Sequence, residues 1–290
     1  FGLPYLAYCH GEDVTLTERY AHQRMIRNRI YREADTVVAA CEFARQSLLK
    51  IGIPEERILK ITPGVDWQRF APRPRSEELV RQFGLEDRRV LMTVARLTPR
   101  KGHATVLRAL ARILRQVPDA VYVIAGTGVE RQRLESLAGE LGIAHAVRFA
   151  GYVPEEDLAA FYNLCDVFVM MNQETDGDVE GFGMVFLEAS AAGKAVIGGL
   201  SGGTGDSVKQ GETGFLIDPN NIEGLGESLL SLLLNSELRK KLGAAGLARA
   251  RAEFDWNSRA ARLRELSHEI VDRKRHGTKA RSNRTTALNA

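Results

Sequence analysis

Between residues 90 and 217 the hydrophobic positions fall into short continuous runs, at 90–95, 120–125, 147–150, 167–170, 195–197 and 214–217. Stretches with helical spacing separate most of them, at 102–117, 130–141, 155–162 and 183–192. In the first, Leu107, Leu110, Ala111 and Leu114 share one face. Strands that are apolar at every position are covered on both faces, and strands alternating with helices form a parallel sheet. The pattern predicts an α/β domain, closed by helices at 221–235 and 236–253.

The same alternation is shorter at the start, with strands at 4–8, 36–40 and 58–62 and helices at 16–34 and 42–51. Residues 71–88 are rich in Pro and charge around a short helix at 76–83, and read as a linker. The expected organisation is two Rossmann-like domains. Residues 1–86 form a partial N-terminal domain with its linker, and 87–255 the C-terminal domain; a helix at 256–272 and a basic tail at 273–290 follow. The tail has no core-forming pattern and is expected to be disordered. The chain opens in mid-pattern at Phe1-Gly2-Leu3-Pro4, so the N-terminal domain is expected to be incomplete.

Charge sharpens this picture. The net charge is +3, but the last 18 residues carry six Lys/Arg and no Asp/Glu, which leaves 34 basic against 37 acidic residues in the body. A mildly acidic body argues against nucleic-acid binding. Cys9, Cys41 and Cys165 lack CxxC spacing and read as buried free thiols of a reducing compartment. No stretch approaches the ~20 apolar residues that span a bilayer, and no signal peptide is evident, so the expected location is cytoplasmic.

In open α/β sheets ligands bind at the carboxyl ends of the strands. The loop after the first strand of the larger domain, Arg96-Leu97-Thr98-Pro99-Arg100-Lys101-Gly102, sets three cations before a helix start, which suits an anion. It matches neither a Walker A loop nor GxGxxG, and taken alone could be a solvated basic loop. Gly126-Thr127-Gly128 and Gly151-Tyr152-Val153 end the next two strands, and each reads either as a ligand border or as a turn. The segment 174–193 is the most informative. Glu180 lies in a glycine-rich loop, and Glu188 lies five residues into a helix that begins at Gly183 and is otherwise small and apolar. A carboxylate there is costly unless it meets a ligand or partner. The backbone N–H groups of Phe182, Gly183, Met184 and Val185 stand where a diphosphate could dock.

Together these segments resemble the retaining glycosyltransferase family 4, whose members have the GT-B fold and include mannosyltransferases of lipid glycans, sucrose synthases and cell-wall enzymes. The family's paired glutamates appear as Glu180-Gly-Phe-Gly-Met-Val-Phe-Leu-Glu188, and its VGRLxxxKG segment as Val94 to Gly102. Its downstream pattern appears as Ser201-Gly202-Gly203 through Gly211-Glu212-Thr213-Gly214-Phe215, and its PNGVD segment resembles Pro63-Gly64-Val65-Asp66. The match runs in order over residues 1 to about 255. Two departures stand out: Asp206 replaces the Glu of many relatives, and the family's glycine-rich acceptor loop is expected upstream of Phe1.

The resemblance implies roles. Arg96 and Lys101 would bind the donor diphosphate and stabilise the leaving nucleotide, and Glu188 would take the ribose hydroxyls. Glu180 would contact the transferred sugar near O3, and Phe182, Gly183, Met184 and Val185 would hold sugar and phosphate through their backbone. Gly126, Tyr152 and Val153 would border the base. His10, in Cys9-His10-Gly11-Glu12, matches the His that contacts the donor sugar near the reaction centre. No metal or other cofactor is implied, since cations fill that role. The expected reaction moves a hexose, of mannose or glucose type, from a GDP- or UDP-linked donor to a lipid-linked or polysaccharide acceptor, with GDP-mannose preferred. The alternatives are a non-catalytic nucleotide-sugar-binding fragment and a GT-B sugar-nucleotide epimerase; a phosphorylase would need a Lys for pyridoxal phosphate, and none stands out. The segment 16–34 sets Arg19, Arg24, Arg27, Arg29 and Arg32 beside Tyr20, Met25, Ile26, Ile30 and Tyr31. That pattern suits either packing on its own domain or peripheral contact with the inner membrane face.

Overall fold

The computed structural model describes residues 3–287. It divides into two compact units, one built from the chain up to Gly64 and from Trp256 onward, the other from Val65–Asp255.

The first unit begins with β1 (Leu6–Cys9), α1 (Glu12–Thr17), α2 (Ala21–Glu33), β2 (Thr36–Ala39), α3 (Glu42–Lys50) and β3 (Ile58–Lys60). The three strands pair in parallel in the order β1-β2-β3. The single helix expected at 16–34 is two helices. Buried Arg27 donates to the Val14 carbonyl at 2.6 Å and to Thr17 Oγ1 at 2.8 Å, which satisfies the end of α1, and Tyr20 is extended before α2 starts.

The second unit holds α4 (Glu77–Phe83), β4 (Arg89–Val94), α5 (His103–Ile113), β5 (Ala120–Ala125), α6 (Arg131–Glu140), β6 (Val147–Gly151), α7 (Leu158–Leu164), β7 (Val167–Met170), α8 (Met184–Ala191), β8 (Ala195–Gly199), α9 (Thr204–Ser207), β9 (Gly214–Ile217), α10 (Ile222–Leu234) and α11 (Ser236–Glu253). Its six-stranded sheet is parallel, in the order β6-β5-β4-β7-β8-β9. The strand order reverses beside β4, between the crossovers to β5 and to β7, which is where an open α/β sheet leaves a crevice for ligands. Apolar faces of α5, α6 and α10 cover one side of the sheet around Leu107, Leu110, Leu134, Leu225 and Leu229. Asn235 separates α10 from α11, because its side chain accepts the Leu238 N–H at 2.9 Å and starts a new helix.

The stretch expected to be a linker, 71–88, belongs to the second unit. Asn163 on α7 accepts the Arg73 N–H at 2.8 Å, Asp166 pairs with Arg75 at 2.6 Å, and the Phe83 ring stacks edge-on against Phe161. The chain passes between the units at Gly64/Val65 and again at Asp255/Trp256, not at residue 86. The last helix, α12 (Trp256–Ala287), belongs to the first unit and buries Leu266 and Ile270. It runs past residue 272 into the segment expected to be disordered. Lys, Arg and Ala propagate a helix without needing a core stripe. Residues 288–290 of that tail lie outside the described residues.

Candidate functional site

The predicted donor-site residues of the second unit gather at the carboxyl end of its sheet. After β4 the chain turns through Ala95–Thr98 and a single 3-10 turn before α5. Gly102 caps that helix with φ +67°, and a Cβ there would lie 1.9 Å from the Met171 carbonyl oxygen. Only glycine lets the loop approach the end of β7 this closely.

The approach brings the basic loop to Glu180. The Glu180 carboxylate is buried and accepts from Arg100 Nη1 at 2.9 Å and from the Lys101 ammonium. Arg100 also lies 2.9 Å from Asp178. Burial holds the Lys101 pKa below its usual value, with Glu180 acting in the opposite direction. Lys101 therefore gains from any further anion brought to it. Arg96, which the sequence put with Lys101, has an exposed side chain. Arg100 is the missed member; it stood in the basic loop, but no local signal distinguished the cation that would turn inward.

Glu188 lies on α8. Its Oε2 accepts the buried Tyr162 hydroxyl at 2.5 Å, and Oε1 has no hydrogen-bond partner among the described residues. Burial raises the Glu188 pKa against the lowering effect of that hydrogen bond. One oxygen of the carboxylate thus stays open at the position where the sequence reading expected a carboxylate to meet a ligand or partner. Tyr162, 26 residues upstream, carried no signal of its own.

Between the two carboxylates lies the start of α8. Gly183 has φ +83°, a Cβ there would meet the Phe186 ring at 2.6 Å, and no side chain caps the helix. The N–H groups of Met184 and Val185, in the first turn, thus take no side-chain cap among the described residues, and Phe182 is buried. The Ser201-Gly202-Gly203 loop supports Glu180 from behind, with the Gly203 N–H donating to the Glu180 carbonyl at 2.8 Å. At the neighbouring strand ends the Gly126 N–H donates to the Gly151 carbonyl at 2.6 Å, so the two loops expected to border a base are contiguous. Tyr152 is 75% exposed and Val153 is buried.

His10 belongs to the first unit, at the end of β1, where its N–H donates to Asp13 at 2.7 Å and its ring lies 4.9 Å from Tyr8. Among the described residues no group of three or more His, Cys, Asp or Glu is arranged to hold a metal ion.

The profile described as Glycosyl transferases group 1 matches residues 75–249, and that described as Glycosyltransferase Family 4 matches residues 1–69. The chain belongs to this glycosyltransferase family. The enzyme is 35% identical over 264 residues to a GDP-mannose-dependent alpha-(1-6)-phosphatidylinositol monomannoside mannosyltransferase of Mycolicibacterium smegmatis, covering 90% of this chain and 69% of the relative. It is 30% identical over 266 residues to a GDP-mannose-dependent monoacylated alpha-(1-6)-phosphatidylinositol monomannoside mannosyltransferase of Corynebacterium glutamicum, with 90% and 69% coverage. Among solved structures, Anabaena HepE in complex with UDP superposes with a TM-score of 0.82 at 22% identity, over 92% of this chain and 72% of that one. Sucrose-phosphate synthase of Thermosynechococcus elongatus gives 0.79 at 25% identity, over 93% and 68%. The fold is GT-B, as expected, and the enzyme transfers a sugar from a nucleotide sugar.

Proposed function

We propose that the enzyme moves mannose from GDP-mannose to a lipid-linked acceptor, with retention at the anomeric carbon. The observation that carries this reading is the uncapped start of α8, preceded along the chain by Glu180 with its two cations and followed by half-satisfied Glu188. The names of the relatives support the choice of base, sugar and inositol-lipid acceptor.

In this reading Lys101 and Arg96 hold the diphosphate, with the N–H groups of Met184 and Val185 donating to sugar and phosphate. Glu188, oriented by Tyr162, accepts from the ribose hydroxyls; Gly126, Tyr152 and Val153 border the guanine. As the bond from the sugar C1 to the phosphate oxygen breaks, charge grows on the leaving diphosphate, and preorganised cations stabilise it. They take the part that a metal plays in other transferases, so the reaction needs no divalent cation. Glu180 contacts the transferred sugar, and His10 does so by its resemblance to the family His. The acceptor hydroxyl attacks the face that the nucleotide leaves, passing its proton to the departing phosphate oxygen.

A lipid acceptor also fits α2. Tyr20, Met25, Ile26 and Ile30 are about half exposed or more, on a segment that carries Arg24, Arg29 and Arg32. An apolar stripe with arginines suits peripheral contact with an anionic membrane surface, on the cytoplasmic side. No described helix is long and apolar enough to cross a membrane.

The test is incubation of the full chain with a phosphatidylinositol acceptor, a chelator, and either labelled GDP-mannose or UDP-glucose, with NMR of the product anomer. Transfer from GDP-mannose with an α-linked product is expected. Transfer only from UDP-glucose, dependence on a divalent cation, or a β-linked product would each overturn the corresponding part. Tight nucleotide binding with no transfer would favour a donor-binding role alone.

A further inference from the structure

A chain of buried polar groups runs from β7 to the basic loop. The Val169 carbonyl accepts from Thr93 Oγ1, which lies 2.7 Å from the Tyr122 hydroxyl. That hydroxyl lies 3.2 Å from His103 Nδ1, and His103 Nε2 lies 3.2 Å from the Arg96 carbonyl. Thr93 and Tyr122 are fully buried and His103 is 2% exposed. None of these three side chains reaches the donor groups directly, and the reaction proposed above does not use them.

The hydrogens in this chain can be counted. Four links join five groups, and both ends are carbonyls, which only accept. Burial pushes the His103 pKa down to about 4, so near neutral pH Thr93, Tyr122 and His103 bring one hydrogen each. Three hydrogens cannot fill four links. Hydroxyl hydrogens rotate, but a carbonyl presents nothing except lone pairs. The assignment that sets no lone pair against a carbonyl gives the Thr93 hydrogen to Val169 and places the His103 hydrogen on Nε2, facing Arg96. The shortage then falls on Tyr122, whose single hydrogen is shared between Thr93 Oγ1 and His103 Nδ1.

We infer that His103 is a positioning residue of the donor site, whose Nε2–H pins the Arg96 carbonyl and so fixes the loop that presents Arg96 and Lys101 to the diphosphate. The inference rests on the donor-site reading above. The Arg96 carbonyl is the hub of that loop, because it also accepts the Thr98 N–H at 3.0 Å, and the Lys101 N–H in turn donates to the Thr98 carbonyl at 3.1 Å. From the sheet side the loop is tied by the Ala95 N–H to Ala125 and the Leu97 N–H to Thr127. His103 supplies the tie from the core, at the start of α5. A neutral imidazole does this without adding a fixed charge beneath the phosphates, so recognition of the donor stays with the loop cations.

The test uses His103→Asn and His103→Gln in the full chain. The Gln amide nitrogen reaches the place of Nε2, whereas the Asn amide reaches only that of Nδ1. Calorimetry with GDP and with guanosine separates phosphate binding from base binding, and Lys101→Ala tests the site itself. The expected result is about a tenfold weaker affinity for GDP in His103→Asn, the size of one lost buried hydrogen bond. His103→Gln should stay within about threefold of the parent, and guanosine should bind all three alike. If Lys101→Ala weakens GDP but His103→Asn does not, or if GDP and guanosine weaken together, the positioning role is overturned while the donor site stands. If Lys101→Ala changes nothing, the donor site falls and this inference with it. Should His103→Asn fail to fold, ring 15N NMR of the unaltered protein decides: a protonated Nε2 with a bare Nδ1 supports the inference, and the opposite tautomer overturns it.

Discussion

Replacing Glu188 by Gln separates the ligand role of this carboxylate from its cost to the fold. Gln keeps the volume and still accepts the Tyr162 hydroxyl, now found at 2.5 Å from Oε2, but removes the charge. Burial raises the Glu188 pKa. A carboxylate whose folded pKa lies above its unfolded value favours the fold when protonated, and that contribution is lost as pH rises through the folded pKa. At neutral pH the parent carries the penalty and Glu188→Gln does not. The variant should therefore melt higher than the parent without ligand at pH 7.5, and the gain should shrink as the pH falls toward the ordinary value of 4.5. Nucleotide binding moves the other way. Hydrogen bonds to a charged group contribute about 1 kcal/mol more each than neutral ones. Two ribose hydroxyls on the carboxylate then make about 2 kcal/mol, or roughly 30-fold in Kd. Calorimetry with GDP and thermal melts at two pH values read both effects. An unchanged Kd would remove Glu188 from the ribose site, and a lower melting point at pH 7.5 would refute the burial argument.

Glu180→Ala leaves Lys101 buried without its anion and Arg100 with Asp178 alone, which costs about 3–5 kcal/mol of stability. It should lower turnover at least tenfold while the Kd for GDP stays unchanged or tightens, since Lys101 is then released to the phosphate; melting and steady-state rates decide. Gly102→Ala forces a side chain onto φ +67° and within 1.9 Å of the Met171 oxygen. A loss of about 2 kcal/mol or more is expected, a fall of roughly 4–8 °C in melting temperature, and an unchanged melt would contradict the close approach. Met25→Asp with Ile26→Asp alters two exposed side chains of α2; co-sedimentation with anionic vesicles should drop several-fold with nucleotide binding intact, and full retention on vesicles would refute the membrane contact.

Much of the second unit was legible in the chain itself. Its strands are continuous apolar runs, and all six lie within a residue or two of where the pattern put them, because a strand covered on both faces needs no partner to be recognised. The uncapped helix at Gly183 and the isolated charge of Glu188 were equally local. The boundaries of the units were not. A Pro-rich, charged stretch reads as a linker until Asn163 and Asp166, far along the chain, tie it down. Nor could periodicity say that Arg100 reaches Glu180, 80 residues away, or that Tyr162 donates to Glu188. The first pairing follows from the sheet order, in which β4 lies beside β7, and the second from the packing of α7 against α8. Parallel crossovers place the loops of distant strands together at one edge. The chain by itself determines where each strand ends and which charged groups follow it. Only the packed sheet decides which of those groups meet, since burial then leaves a charge no stable course but to find its partner.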